Sequence, residues 1–332
     1  MSSAPQAPAV AIAMATFEPD PDLLAAQIES IRAQTREDWT CVVSDDCSSP
    51  RSFAATEGLI GDDPRFAVSR SQQRLGFYRN FERALGLVPA GVELVALADQ
   101  DDRWQPRKLE ALAGALGPAL LVHSDARIVD DEGRVLSPTY WRARRPNSGD
   151  LASLLVANTV TGAASLFRRE LLDRALPFPE LPGSPYHDHW LALLALADGE
   201  IAYLDEPLYD YVQHGGAVLG HVGGETAGPA PANGPRAQRW RQAYREEYLR
   251  VLGLARQLAA RCEPLPDHRR RRALRRFLAT ERSPAGLAWL AWRAARHSLG
   301  RSETAGAERT LVAGLSWYWL ARARRRAPGA GG

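Results

Sequence analysis

The spacing of apolar residues divides the chain into a first part in which strand-like and helix-like segments alternate and a second part that reads as helical. Val10 to Ala15 is a short apolar run suited to a buried strand. Asp22 then stands where an N-cap would, and Leu24, Ile28 and Ile31 recur at helical spacing before Trp39 to Ser44 forms a second strand-like run. Arg65 to Ser69, Tyr78 to Leu87 and Val92 to Ala98 repeat the order strand, helix, strand. A βαβ series of this kind predicts a mostly parallel sheet with helices on its faces. Ligands gather at the carboxyl ends of such strands. Those ends are followed here by Thr16 and Phe17, by Asp45 and Asp46, by Arg70 to Arg79, and by the Asp99 cluster, so four polar sets are expected round one crevice.

The pattern changes at Gly215 to Pro235, a Gly, Pro and Ala stretch that reads as a linker or mobile loop, and a boundary is expected near residue 225. Beyond it, Gln238 to Arg261 carries Val251, Leu254 and Leu258 beside Leu249 and Leu252, the apolar side of an amphipathic helix. HRRRRALRRFL at 268–278, LAWLAW at 287–292 and LSWYWLARARRR at 315–326 follow. Charge divides at the same place. Residues 1–220 hold 19 Lys plus Arg against 31 Asp plus Glu, a net of −12, while residues 221–332 hold 22 Arg against 8 acids, a net of +14. The whole-chain net of +2 therefore conceals two parts with different tasks.

Three readings of the basic part stand at this point. Trp317, Tyr318 and Trp319 beside arginine clusters suit a membrane interface, where rings sit at headgroup level and guanidinium groups meet anionic lipid. The same rings could instead pack on the first part as a helical appendage. Stacking aromatics with arginine also suits nucleic acid, but no recognised binding motif accompanies the charge.

At 332 residues, 45% hydrophobic and 24% charged, the chain can bury one large or two ordinary domain cores. Cys41, Cys47 and Cys262 are too few and too irregularly spaced for a disulfide framework or a cysteine zinc site, and read as buried hydrophobes in a reducing cytosol. Met1 to Val10 has neither the basic start nor the apolar centre of a signal peptide. No apolar run approaches the roughly 18 residues that span a bilayer. The expected location is cytoplasmic, with peripheral contact at the inner face of a membrane through the basic tail.

The densest chemistry lies in ELVALADQDDRW at 93–104, where an apolar run delivers Asp99, Asp101 and Asp102 to one point. On an extended backbone Asp99 and Asp101 share a face and Asp102 takes the other, so the first two can share one hard cation. Carboxylate oxygens suit Mg²⁺ or Mn²⁺, which keep positions open for phosphate. A solvated acidic turn is the competing reading of a lone D-x-D.

Seven segments in order resemble family 2 glycosyltransferases with the GT-A fold: VAIAMATFEP at 10–19, SDDCS at 44–48, GFYRNFERAL at 76–85, ADQDDRWQPRKLE at 98–110, HSDARIVDDEG at 123–133, NTVTGAASLFRREL at 158–171 and the run from His187 to Gly220. The DQDD-x-W and YxQHG forms are most similar to bacterial enzymes of the rhamnosyltransferase type that build surface polysaccharides. The resemblance implies an α/β GT-A catalytic domain over residues 1–225 with a basic, α-helical extension over 226–332. It implies an inverting, metal-dependent transfer from a nucleoside-diphosphate sugar, dTDP-rhamnose or a UDP-sugar, to a glycan or lipid-linked acceptor hydroxyl. Thr16 and Phe17 would line the base pocket, with Asp46 accepting from the pyrimidine N–H, and Arg79 and Asn80 would approach the nucleotide and phosphates. Asp99 and Asp101 would hold Mn²⁺ or Mg²⁺, Asp101 the more directly, and His214 would complete the shell. Asp188 would be the general base, and Gly162 a strand-end glycine permitting close approach to the ligand. Ala15, Phe17 and Glu18 replace the Pro, Tyr and Asn common in the opening motif, which keeps stacking but removes a hydroxyl.

The residues alone leave other roles open. Asp45 and Asp46 could end a strand and cap a turn, Asp188 could be the N-cap of a helix over residues 190–197, and His214 could be an ordinary polar histidine. His187 and His189 sit two apart, which diverges on a helix and argues against zinc. A non-catalytic nucleotide-sugar or carbohydrate-binding module on the same fold is the competing class. A nucleotidyltransferase would need a glycine-rich phosphate loop near the first strand, and Met14 to Pro19 contains neither glycine nor lysine.

Overall fold

The structure, a computed structural model, describes residues 9–141, 146–182, 185–213, 235–262, 264–300 and 304–326. His214, the expected boundary near 225 and all of the expected linker except Pro235 lie outside the described residues.

Strands and helices alternate first: β1 (Val10–Thr16), α1 (Pro21–Arg32), β2 (Trp39–Asp45), α2 (Pro50–Ile60), β3 (Phe66–Arg70), α3 (Phe77–Gly86) and β4 (Leu94–Ala98). Then come β5 (Arg103–Trp104), α4 (Lys108–Leu116), β6 (Leu121–Asp130), β7 (Val135–Ser137), α5 (Leu151–Val156), β8 (Ser165–Arg168), α6 (Leu171–Ala175), α7 (His187–Asp198) and β9 (Ile201–Gln213). The chain ends in α8 (Arg236–Ala243), α9 (Leu249–Cys262), α10 (His268–Leu278), α11 (Pro284–Leu299) and α12 (Ala305–Arg326). A π-helical stretch, Tyr244–Tyr248, joins α8 to α9. The first helix is capped by Asp20, which accepts from the Asp22 and Leu23 amides, and not by Asp22. Pro21 explains the shift, because its fixed φ suits the first helical position and leaves the residue before it as the cap.

The strands form one sheet in the order β3-β2-β1-β4-β8-β6-β9-β5, with β7 beside β6. The run β3-β2-β1-β4 is parallel, as the βαβ pattern requires. Strand β8 is antiparallel to both neighbours, β9 is parallel to β6, and β5 and β7 are antiparallel additions. The sheet is therefore mixed: its first half is wholly parallel, and its second half is parallel only between β6 and β9. Successive residues of β1 feed opposite faces: Val10, Ile12 and Met14 enter one core layer, Ala11 and Ala13 the other.

Helix α7 runs through the second layer. Its segment Trp190 to Ala197 is entirely buried, as an apolar sequence with no polar face must be. The covering comes from the C-terminal helices, whose Val251, Leu258, Phe277, Leu290 and Leu311 join the same cluster. Arginines complete the junction. Arg261 donates to the carbonyls of Arg174, Ala175 and Pro177 at 2.5–3.0 Å, and Arg270 donates to Leu196 O at 2.6 Å and to Gly199 O, satisfying carbonyls that α7 leaves open at its end.

The rings expected at a membrane interface pack within this helical layer instead. Tyr318 stacks on Tyr244 with centroids 5.2 Å apart, Trp317 lies 5.5 Å from the same ring, and Trp319 Nε1 donates to Thr280 O at 3.2 Å. Gly314 makes the approach of α12 feasible, since a Cβ there would sit 2.6 Å from the Tyr244 nitrogen. Among the described residues no helix is long and apolar enough to cross a membrane.

Candidate active site

The carboxyl ends of β1, β2 and β4 meet as the parallel order demands, and hydrogen bonds tie them together. Thr16 Oγ1 donates to Asp45 at 3.3 Å, the Asp46 amide donates to Thr16 O at 2.8 Å, and Asn80 Nδ2 donates to both Thr16 O and Ser44 O. Asn80 is buried and also accepts from Ser44 Oγ at 2.7 Å, so it latches two strand ends from α3. Asp46 accepts from the Leu75 and Gly76 amides at 2.5 and 2.9 Å and thereby holds the loop leading into α3. Arg79 is held by Glu82 at 2.6 Å and Phe178 O at 2.9 Å. Arg74 lies over the Phe17 ring, 3.7 Å from its centroid. Glu18 adopts a positive φ of 41° and turns its carboxylate onto the Ser49 amide and hydroxyl at the start of α2.

Strand β4 stops at Ala98, so the acidic cluster forms a turn and not an extended strand. Gln100 clamps this turn to the β1 end by accepting from the Phe17 amide at 2.8 Å and donating to Phe17 O at 3.3 Å. Burial, the Asp101 charge and the Asp188 charge lift the Asp99 pKa to about 7. Asp102 turns inward and is almost wholly buried, with Oδ2 lacking a hydrogen-bond partner among the described residues. Burial drives the Asp102 carboxyl upward and the Lys108 ammonium downward, each opposed by the attraction of the other.

Lys108 was not singled out by motif reasoning, yet a signal was present: it is the sole lysine among 41 basic residues. It is fully buried, covered by the Trp104 ring at 3.7 Å and the Tyr209 ring at 4.8 Å, and donates to Ala163 O at 2.5 Å. That carbonyl belongs to the 3-10 turn Gly162–Ala164, whose first amide donates to Asp188 Oδ2 at 3.1 Å. One short turn therefore links the cation beneath the acidic cluster to Asp188.

Asp188 lies in the first turn of α7, one residue beyond a start at His187, so it is not the N-cap; that position is Tyr186. Its other oxygen accepts from the His189 amide at 2.6 Å. Burial raises its pKa to about 6, although the Gly162 and His189 amides favour the carboxylate. His187 stacks on Phe81 at 3.6 Å, while His189 Nε2 meets Leu154 O at 2.6 Å, so the pair diverges as helical geometry predicts. Both are held neutral, since burial lowers each pKa to about 3. A Cβ on Gly162 would sit 2.8 Å from His187 Nε2 and 3.3 Å from the Asp188 Cβ, so glycine is needed where this turn meets α7.

The donor set suits a hard divalent cation. Asp99 and Asp101 offer carboxylate oxygens whose mutual repulsion, seen in the raised Asp99 pKa, a cation would relieve. Among the described residues no third His, Cys, Asp or Glu completes a metal-binding group with them.

A mixed sheet with a parallel first half, flanking helices and an acidic cluster at the strand ends is the architecture of a GT-A glycosyltransferase. Residues 11–176 match glycosyl transferase family 2, and the chain belongs to that family. It is 28% identical over 204 residues to an uncharacterized glycosyltransferase of Nostoc sp., covering 58% of this chain and 61% of that one. It is 26% identical over 184 residues to the uncharacterized glycosyltransferase YwdF of Bacillus subtilis, covering 54% and 64%. The matched portions thus span less than two thirds of those relatives. Among solved structures, S. aureus TarS in complex with UDP-GlcNAc superposes with a TM-score of 0.55 at 16% identity, over 81% of this chain and 70% of that one. The mannosyltransferase PcManGT from Pyrobaculum calidifontis, in complex with GDP-Man and Mn²⁺, superposes with a TM-score of 0.51 at 17% identity, over 96% and 88%.

Proposed function

We propose that this chain transfers a sugar, with inversion, from a nucleoside-diphosphate donor to a hydroxyl of a glycan or lipid-linked acceptor. The observation that carries the reading is Asp188, a carboxyl raised to about 6, held by two backbone amides and linked through Gly162–Ala164 to the Asp99 cluster. A base of that pKa is largely ionised at neutral pH and is a stronger proton acceptor than an ordinary carboxylate. Asp188 would take the acceptor proton as the hydroxyl attacks the anomeric carbon from the face opposite the departing diphosphate. No covalent intermediate on the protein is needed.

Asp99 and Asp101 would hold Mn²⁺ or Mg²⁺, with His214 as a further ligand. When bound, that ion neutralises charge growing on the leaving diphosphate. Phe17, with Arg74 over its ring, supports a base-stacking role, and Thr16 and Asp46, tied to the neighbouring strand end and loop, would line the base pocket beside it. Asn80 would act by fixing the strand ends, and Gly162 would lie close to the donor. For Arg79, contact with the phosphates requires it to leave Glu82 and Phe178. The motif forms favour a dTDP-rhamnose or UDP-sugar donor and a role in surface polysaccharide synthesis, in cytoplasm at the membrane's inner face. The test is Asp188→Asn: donor affinity in the presence of Mn²⁺ should persist while transfer falls by about 10²–10⁴-fold. Transfer at the wild-type rate would end the reading.

A further inference from the structure

With Trp317, Tyr318 and Trp319 half-buried in ring and hydrogen-bond contacts, a second basic surface lies on another helix. On α10, Arg269, Arg272, Arg275 and Arg276 are all exposed. They border two hollows of about 340 and 410 Å³, one of them walled by Trp289 and Trp292 of α11, and among the described residues no carboxylate lines either. Alongside, α11 exposes Ala288, Trp292, Ala295 and Leu299 at spacings of four, three and four, one stripe of a helix. Trp292 is 56% and Leu299 89% exposed, and Arg296 lies over the Trp292 ring. An arginine face beside an apolar, tryptophan-bearing stripe matches the layered chemistry of a bilayer surface, anionic phosphate above and acyl chain below.

We propose that the α10–α11 face docks the protein on an anionic membrane, with arginine hollows receiving lipid phosphate and the Trp292–Leu299 stripe entering the headgroup boundary. Guanidinium groups suit this because each offers several donors in a fixed fork to phosphate oxygens. The face is braced to the catalytic part. Arg293 of α11 donates to Asp150 at 2.9 Å and Ser153 at 2.8 Å at the start of α5, and to the fully buried Glu308 at 3.0 Å. Arg270 of α10 holds the carboxyl end of α7, the helix whose first turn carries Asp188. Docking through α10 and α11 would therefore set the crevice at a fixed attitude to the bilayer. The inference stands on this surface alone and does not depend on the transferase reading.

The experiment is cosedimentation of the full chain with phosphatidylcholine vesicles, with and without phosphatidylglycerol, at low and moderate salt. Wild type should bind only the anionic vesicles, and less as salt rises. Replacing Arg269, Arg272, Arg275 and Arg276 with Gln should weaken partitioning by nearly three orders of magnitude, from roughly fivefold per charge. Trp292→Ser should remove the salt-resistant part of binding. Replacing Arg324 and Arg325 with Gln should leave binding intact, and unchanged melting temperatures and donor affinity show that the variants fold. Wild type that ignores anionic vesicles, a quadruple variant that binds as wild type does, or binding that follows Arg324 and Arg325 overturns the proposal. Tighter binding to a short DNA duplex than to anionic vesicles at equal phosphate also overturns it.

Discussion

Gly162→Ala isolates position from chemistry at the proposed base. The substitution keeps the amide that donates to Asp188 and keeps Asp188 itself, but adds one methyl where the 3-10 turn meets α7. The new Cβ would lie 2.8 Å from His187 Nε2, about 0.6 Å inside the 3.4 Å at which ordinary contact begins. His187 cannot swing away freely, because it is buried and stacked on Phe81 with ring centroids 3.6 Å apart. The first turn of α7 or the 162–164 turn must therefore shift, and either movement displaces Asp188. Overpacking of this kind costs about 1–3 kcal/mol. A displacement approaching 1 Å costs about 10²-fold in rate.

The assay measures kcat, donor Kd and melting temperature on Gly162→Ala, with Gly114→Ala as control. Gly114 is also helical, has open space where a Cβ would go, and should gain about 0.4–1 kcal/mol from reduced unfolded-chain entropy. Gly162→Ala should lose rate and melting temperature together while holding donor affinity. A wild-type rate with an unchanged melting temperature would refute the steric argument. Donor affinity falling in step with rate would instead give this glycine the ligand contact expected from its place in the sequence.

Three further outcomes follow from the same geometry. Because Asp188 must be ionised to accept a proton and its pKa is lifted to about 6, kcat/KM should climb as pH rises through about 6, and Asp188→Asn should lose that limb; a wild-type profile flat between pH 5 and 7, as ordinary carboxylates near pKa 4 would give, goes against it. Asp101→Asn should abolish Mn²⁺-dependent donor binding in calorimetry with the melting temperature retained, and unaltered Mn²⁺ dependence would remove Asp101 from the ligand set. Lys108→Met should destabilise the fold by about 1–3 kcal/mol in denaturant melts, because Ala163 O loses its buried donor, and amine-reactive labelling of the native wild type should spare Lys108 until the chain unfolds; rapid native labelling contradicts the burial.

The sheet's first half was legible because each strand is a short apolar run and α1 and α3 show helical spacing, whereas α2 buries only Thr56 and Ile60 and leaves little pattern; β1 to β4 fall within a residue or two of the expected limits. Its second half was not. Strand β8 is four residues long and follows a 3-10 turn, so neither period has room to declare itself, and its antiparallel direction is set by the route through α5. The acidic cluster was visible in ADQDD, but the strand-based alternation argument was not the reason for its geometry, since the chain turns after Ala98. Asp102 and Lys108 are both buried, and a motif carries no record of which charge is buried. Asp188 was visible only through family resemblance. Its setting depends on the Gly162–Ala163 turn and on Lys108, two segments far from it in sequence. The tail showed its aromatic and basic character in sequence, but helical spacing could not say which of Trp292 and Trp319 would find a partner.

The type of cation, unlike net charge, is almost uniform along the chain. Apart from Lys108, every basic residue is arginine. Several C-terminal arginines bridge carbonyls: Arg261 spans three on the catalytic part, and Arg270 two at the end of α7. A planar fork of donors can do this from one side chain, whereas an ammonium presents a compact charge on a flexible stem. Beneath Asp99 and Asp102 the requirement is reversed. The space between the Trp104 and Tyr209 rings admits a point charge that reaches Ala163 O, and lysine stands there. The positive tail is thus partly consumed in holding α7, the helix that presents Asp188. Removing residues beyond 225 would strip the cover from Trp190 to Ala197 as well as the charge, so the basic part is a structural condition for the proposed base and not only a surface attached to it.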